Sequence, residues 1–137
     1  MHKLSLTGST EVGPILLAEA TDQVVNTSME LGGNAPFLAF ADADLAAALE
    51  AAMVAKMYNA GEACTAANRF YVQGSVADEF SRRLADRMSA LNLGPGTGET
   101  TEVGSLVNED ILFKVDRLVR AAIAEVPGHR RRQLAGA

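Results

Sequence analysis

A single cysteine, Cys64, stands in the stretch NAGEACTAANR between Asn59 and Arg69. With no second thiol in the chain it has no internal disulfide partner. Gly61 and the small residues Ala63, Ala66 and Ala67 leave room for a carbonyl compound to approach sulfur. The thiolate is the nucleophile, so a reactive Cys64 needs a base or converging backbone N–H groups to favour that form. The same residue also reads as a small buried hydrophobe, the usual place of a free cysteine.

A second stretch, MELGGNAPF from Met29 to Phe37, sets Glu30 at the end of an extended segment and follows it with Gly32 and Gly33. The glycines permit close backbone approach or positive φ, and the carboxylate has the chemistry of a general base. An exposed loop acid is the alternative. A third stretch, TGSTEVG from Thr7 to Gly13, combines a strand end, a glycine and hydroxyl turn and a helix start. Amides and helix dipole there can meet an anion such as phosphate. It lacks GxGxxG and the P-loop lysine, and any capped helix after a strand has the same look. The two histidines, His2 and His129, lie near opposite ends with no ligand cluster, so no metal site is expected.

These residues need elements to hold them. Leu4 and Leu6 alternate with polar neighbours over Lys3 to Thr7, a short strand. Ser9 or Thr10 then caps a helix carrying Val12, Ile15 and Leu16, with Pro14 tolerated in its first turn. Val24 and Val25 open a second extended stretch that reaches Glu30, and PFLAF, Pro36 to Phe40, reads as a buried strand. From Asp42, Leu45, Leu49, Met53 and Met57 recur every four residues as a helix that ends near Asn59 and Gly61. RFYVQ, Arg69 to Gln73, is a further strand. Ser75 caps the next helix, whose apolar face is Val76, Phe80, Leu84, Met88 and Leu91. Leu93 to Gly104 is a loop, and a last helix runs from about Asn108 to Glu125. The order strand, helix, strand, strand, helix, strand, helix, helix is an α/β pattern.

The 137 residues are enough for about one ordinary domain. Hydrophobic residues make up 48% and charged residues 21%, as in a globular protein. The net charge of −5 argues against a nucleic-acid or anionic-membrane binder, because phosphate surfaces demand clustered Lys and Arg. No apolar run approaches a membrane span, and a lone cysteine fits a cytoplasmic location.

Taken together and in this order, TGSTEVG, MELGGNAPF and GEACTAANR closely resemble the aldehyde dehydrogenase superfamily, and within it the succinate-semialdehyde type. Glu30 and Cys64 are 34 residues apart, which matches the spacing in that family. The resemblance covers about Leu4 to Glu125. It implies that Cys64 attacks an aldehyde carbonyl, that its backbone N–H helps hold the oxyanion, and that Glu30 activates the water that releases the acid. The cofactor implied is NAD or NADP, with Thr7, Gly8, Ser9 and Gly13 near its phosphate and Leu31 and Gly32 near the nicotinamide. The fold implied is a fragment of the aldehyde dehydrogenase fold: residues 1–33 the C-terminal part of the Rossmann-like cofactor domain, 34–126 the first part of the catalytic domain, and 127–137 a tail foreign to the family.

Two positions depart from the pattern. Succinate-semialdehyde enzymes often carry Arg six places before the nucleophile, where this chain has Tyr58, and some relatives have a second cysteine where this chain has Ala66. Family members are several times longer, so the resemblance also implies a truncated chain, incomplete and inactive by itself, with the basic end GHRRRQLAGA as a frameshifted or decayed terminus. The partners expected are a small aldehyde and a second copy or a full-length relative. A non-catalytic remnant that acts by pairing with such a relative is the alternative function.

Overall fold

A computed structural model describes residues 2–125. They fall into two compact units, one ending at Asn92 and the other starting at Leu93. The first unit begins with β1 (Lys3–Gly8), α1 (Val12–Thr21) and β2 (Asn26–Leu31). β1 and β2 pair in parallel, Lys3 opposite Asn26 through Gly8 opposite Leu31, and α1 is the crossover. Then follow β3 (Ala35–Ala39), α2 (Leu45–Met57), a short turn at Tyr58–Gly61, β4 (Ala67–Val72) and α3 (Gly74–Ser89). β3 and β4 form a second parallel pair. The expected α/β order is observed throughout the described residues.

The core of this unit lies under the second sheet. Phe80 and Leu49 are each 1% exposed, and Ala39, Ala52 and Leu84 join them. Phe37 and Phe70 are cross-strand partners. Their rings lie 5.5 Å apart, and Phe80 sits 6.2 Å from Phe37 and 6.3 Å from Phe70. Burying a side chain of this size stabilises by about 1.5–3 kcal/mol, so this aromatic trio is the main tie between α3 and the strands. Alanine at positions 48 and 52 lets α2 approach closely, and an Arg87–Glu50 ion pair of 2.7 Å links α3 to α2. The opposite face of this sheet carries Leu38 and Tyr71 side by side, both more than half exposed.

PFLAF is not a buried strand, since Leu38 and Phe40 are 59% and 62% exposed, and local signals needed four further corrections. No side chain caps α1, because the Thr10 hydroxyl donates instead to the Gly32 carbonyl at 3.4 Å, while the Ser9 carbonyl accepts from the Val12 and Gly13 N–H groups. Val24 does not begin a strand. It has φ 52° and ends α1, with its N–H on the Thr21 carbonyl and the Val25 N–H on the Ala20 carbonyl. That is the Schellman pattern, with valine at the left-handed position that usually takes glycine. α2 starts at Leu45 rather than Asp42, because the Asp44 carboxylate accepts from the Ala46 and Ala47 N–H groups at 2.8 and 3.1 Å. Ser75 is not a cap either, since α3 already starts at Gly74.

In the second unit Leu93 bridges Val103, closing the Gly and Thr loop, and α4 (Glu109–Glu125) follows. Asn108 caps α4 through its side-chain oxygen on the Ile111 N–H at 3.0 Å. The apolar face expected of this helix is present, and Leu112, Val115, Leu118, Val119 and Ile123 on it are all exposed. The proposed tail at 127–137 lies outside the described residues. No helix among the described residues is long and apolar enough to cross a membrane.

Candidate active site

The parallel pairing of β1 with β2 brings two of the three chemical stretches together. Thr7 lies opposite Glu30, and Gly8 opposite Leu31, so both stretches meet at the C-terminal ends of their strands. Parallel α/β sheets bind ligands outside that end, next to a helix N-terminus. Gly13, in the first turn of α1, is buried against the Leu31 side chain. A Cβ at Gly13 would fall 2.8 Å from Leu31 Cδ1, so this close approach of helix and strand depends on glycine. Glu30 is exposed and belongs to the strand rather than to a loop.

The chain leaves β2 through Gly32, Gly33 and Asn34, and there it meets the third stretch. An ideal Cβ on Gly33 would stand 3.1 Å from the Cys64 carbonyl oxygen. Any side chain at this position would therefore press on the backbone of the Cys64 loop. Cys64 is exposed and free, which sets aside its reading as a buried hydrophobe; the buried neighbours are Ala66 and Ala67.

The approach to Cys64 is strained. Asn59, Ala60 and Gly61 are consecutive left-handed residues with φ of 50°, 56° and 81°. For an alanine that conformation costs about 1–2 kcal/mol, and such strain persists only where the surroundings over-determine it. Tyr58, just before the turn, is 72% exposed. Lys56 stands beside it at the end of α2, with its Nζ 2.7 Å from Asn68 Oδ1.

Sequence reading missed the polar cluster around Asn34. Asn68 donates to Asn34 Oδ1 at 3.1 Å and to the Gly33 carbonyl at 3.4 Å, and the Arg69 guanidinium donates to the Asn34 carbonyl at 2.7 Å. The available signal was Pro36. Proline has no N–H for the ladder and is confined to sheet edges and bulges, and the register of β3 on β4 shifts between Ala35 and Pro36. Among the described residues, no group of three or more His, Cys, Asp or Glu could hold a metal ion.

Comparison with known proteins gives this arrangement its class. The model of the aldehyde dehydrogenase family matches residues 1–129, and the chain belongs to that family. It is 55% identical over 123 residues to a succinate-semialdehyde dehydrogenase of Paenarthrobacter nicotinovorans, covering 90% of this chain and 27% of that protein. It is 42% identical over 123 residues to an Escherichia coli succinate-semialdehyde dehydrogenase [NADP(+)], covering 90% of this chain and 26% of that one. Among solved structures, a succinate-semialdehyde dehydrogenase from Burkholderia pseudomallei superposes with TM-score 0.86 at 42% identity, covering 96% of this chain and 28% of that one. A betaine aldehyde dehydrogenase from Staphylococcus aureus in complex with NAD+ superposes with TM-score 0.84 at 34% identity, over 91% of this chain and 25% of that one. The chain thus spans about a quarter of the length of these relatives.

Proposed function

We propose that this chain carries the nucleophile and the base of an NAD(P)-dependent oxidation of an aldehyde to a carboxylic acid. The observation that carries the reading is the convergence of Gly33, three residues after Glu30, with the carbonyl of the exposed Cys64. The Cys64 thiolate adds to the aldehyde carbon to give a thiohemiacetal, and the Cys64 N–H supports the oxyanion. The turn Thr7, Gly8, Ser9 and Gly13 fits a phosphate-bearing cofactor, because it lies at the C-terminal end of β1 against the start of α1, with Leu31 and Gly32 alongside. NAD or NADP, when bound, supplies the acceptor for the hydride that leaves this adduct. Glu30 then takes a proton from water, whose oxygen attacks the resulting thioester and frees the acid and the thiol.

The succinate-semialdehyde dehydrogenases among the relatives support a short aldehyde with an acidic tail. Tyr58 offers that tail a neutral phenol in place of a guanidinium, so succinate semialdehyde and an uncharged aldehyde of similar length should react at comparable rates.

The test is to incubate the chain with aldehyde and NAD+ or NADP+, following reduced cofactor by absorbance and Cys64 by intact mass. Wild type should form a covalent adduct on Cys64, Cys64→Ala should form neither adduct nor reduced cofactor, and Glu30→Gln should retain its adduct longer than wild type. Absence of any adduct on Cys64 in wild type would overturn the catalytic reading. A second reading is then left, favoured by the exposed apolar Leu38, Phe40 and Tyr71: a non-catalytic chain that pairs with a full-length relative and is indifferent to Cys64→Ala.

A further inference from the structure

The polar cluster beside Cys64 has a geometry that the sequence alone did not announce. Ala35 pairs with Ala67 and Pro36 with Arg69, so Asn68 is the extra residue of a bulge in β4. A bulge breaks the ladder and re-aims the side chain it carries, and bulges concentrate next to active sites. Here the re-aimed side chain is an amide with its oxygen and nitrogen both engaged. Its oxygen accepts from Lys56 Nζ at 2.7 Å, at the end of α2. Its nitrogen donates to Asn34 Oδ1 at 3.1 Å and to the Gly33 carbonyl at 3.4 Å. Arg69, the next residue, fixes the Asn34 carbonyl at 2.7 Å. Three chain segments that are far apart in sequence meet on one amide: the strand exit that follows Glu30, the end of the helix that precedes the strained turn, and the strand that follows Cys64.

We propose that Asn68 is a positioning residue that locks the Gly33–Asn34 crossing against the Cys64 loop, with Lys56 orienting its amide. The inference rests on the reading of Glu30 as base and Cys64 as nucleophile, and gives it a mechanical basis. Glu30 is carried by a strand whose exit is held at Gly32 by the Thr10 hydroxyl and at Asn34 by Arg69, and Asn68 closes the remaining step at Gly33 without touching substrate. Its amide is suited to this task because only a group that both accepts and donates can join an ammonium on one side to two oxygens on the other. Aspartate keeps the Lys56 contact, and Asn34 can turn its own amide to meet the carboxylate, but the Gly33 carbonyl is left facing an acceptor.

The experiment is amide hydrogen exchange on the intact chain, read by peptide mass spectrometry, for wild type, Asn68→Ala, Asn68→Asp and Lys56→Met. Exchange in the peptides covering Gly32 to Ala35 and Glu62 to Ala66 should rise about tenfold in both Asn68 variants and by less in Lys56→Met. The core peptides of α2 and α3 should keep their wild-type exchange. A second readout is the limiting rate of Cys64 alkylation by iodoacetamide at high pH, which should rise in the same order of variants. Uniform acceleration across the first unit, or unchanged exchange at Gly33 in a folded Asn68→Asp protein, overturns the proposal. Asn68→Asp has nearly the shape of asparagine and remains decisive if the alanine variant does not fold. Neither readout needs turnover, so absence of an aldehyde adduct on Cys64 would refute the catalytic reading while leaving this one to stand or fall on exchange.

Discussion

Replacing Val24 with glycine should make this protein more stable. Val24 holds φ 52° at the C-terminal end of α1, where two N–H groups close onto the Thr21 and Ala20 carbonyls. Left-handed backbone costs an L-residue about 1–2 kcal/mol because Cβ crowds the following carbonyl, and a β-branched residue is at the unfavourable end. Glycine removes that cost and adds about 0.5–1 kcal/mol of unfolded-state entropy. Because the valine side chain is 92% exposed, its removal forfeits almost no burial. The net expectation is about 0.5–1 kcal/mol of added stability. At a typical urea dependence for a small domain, this moves the midpoint up by about 0.5 M with an unchanged slope. The assay is urea unfolding followed by far-UV circular dichroism. Gly61→Ala is the matched reverse: φ is 81° and a Cβ would meet the Lys56 carbonyl oxygen at 3.1 Å, so its midpoint should fall. A Val24→Gly midpoint at or below wild type, with Gly61→Ala behaving as expected, would refute the assignment of strain to Val24.

Phe80→Ala should destabilise the first unit by about 3–5 kcal/mol, since Phe80 is 1% exposed and contacts both Phe37 and Phe70; thermal unfolding that shifts by only a degree or two would contradict the core described above. The ion pair between α2 and α3 gives a pH signature. The hydrogen bond from Arg87 holds the Glu50 carboxyl below its ordinary value. A lowered folded-state value contributes stability that is present above the ordinary carboxylate range and is lost as pH falls through the lowered one. The difference in melting temperature between wild type and Glu50→Gln should therefore be present at neutral pH and close in acid. Because both groups are exposed, it should also shrink in high salt.

The order of elements was legible from hydrophobic period alone. Leu45, Leu49 and Met53 at four-residue spacing announced α2, and the Phe80, Leu84 and Met88 stripe announced α3; both stripes face the core. The residues of the candidate site were legible as well, because Cys64, Glu30 and the Thr7–Gly13 turn stand in short stretches whose residue types suit the proposed chemistry. Element starts were less legible. Whether Asp42 or Asp44 caps α2, and whether Thr10 caps α1 or reaches Gly32, depends on where each side chain finds its best partner after the sheets form.

What the sequence determined by itself was therefore the set of elements and the candidate reacting groups, since both follow from neighbours within a helical turn or a few strand residues. Only the tertiary structure decided that Thr7 lies opposite Glu30, that Gly33 abuts the Cys64 carbonyl, and that Cys64 is exposed. It alone revealed Asn68 as a bulge residue that reaches Gly33 across 35 positions of chain. The physical reason is that such contacts follow from strand register and from the missing N–H of Pro36. Their strength is set by geometry between segments far apart in sequence, and no local propensity carries that information.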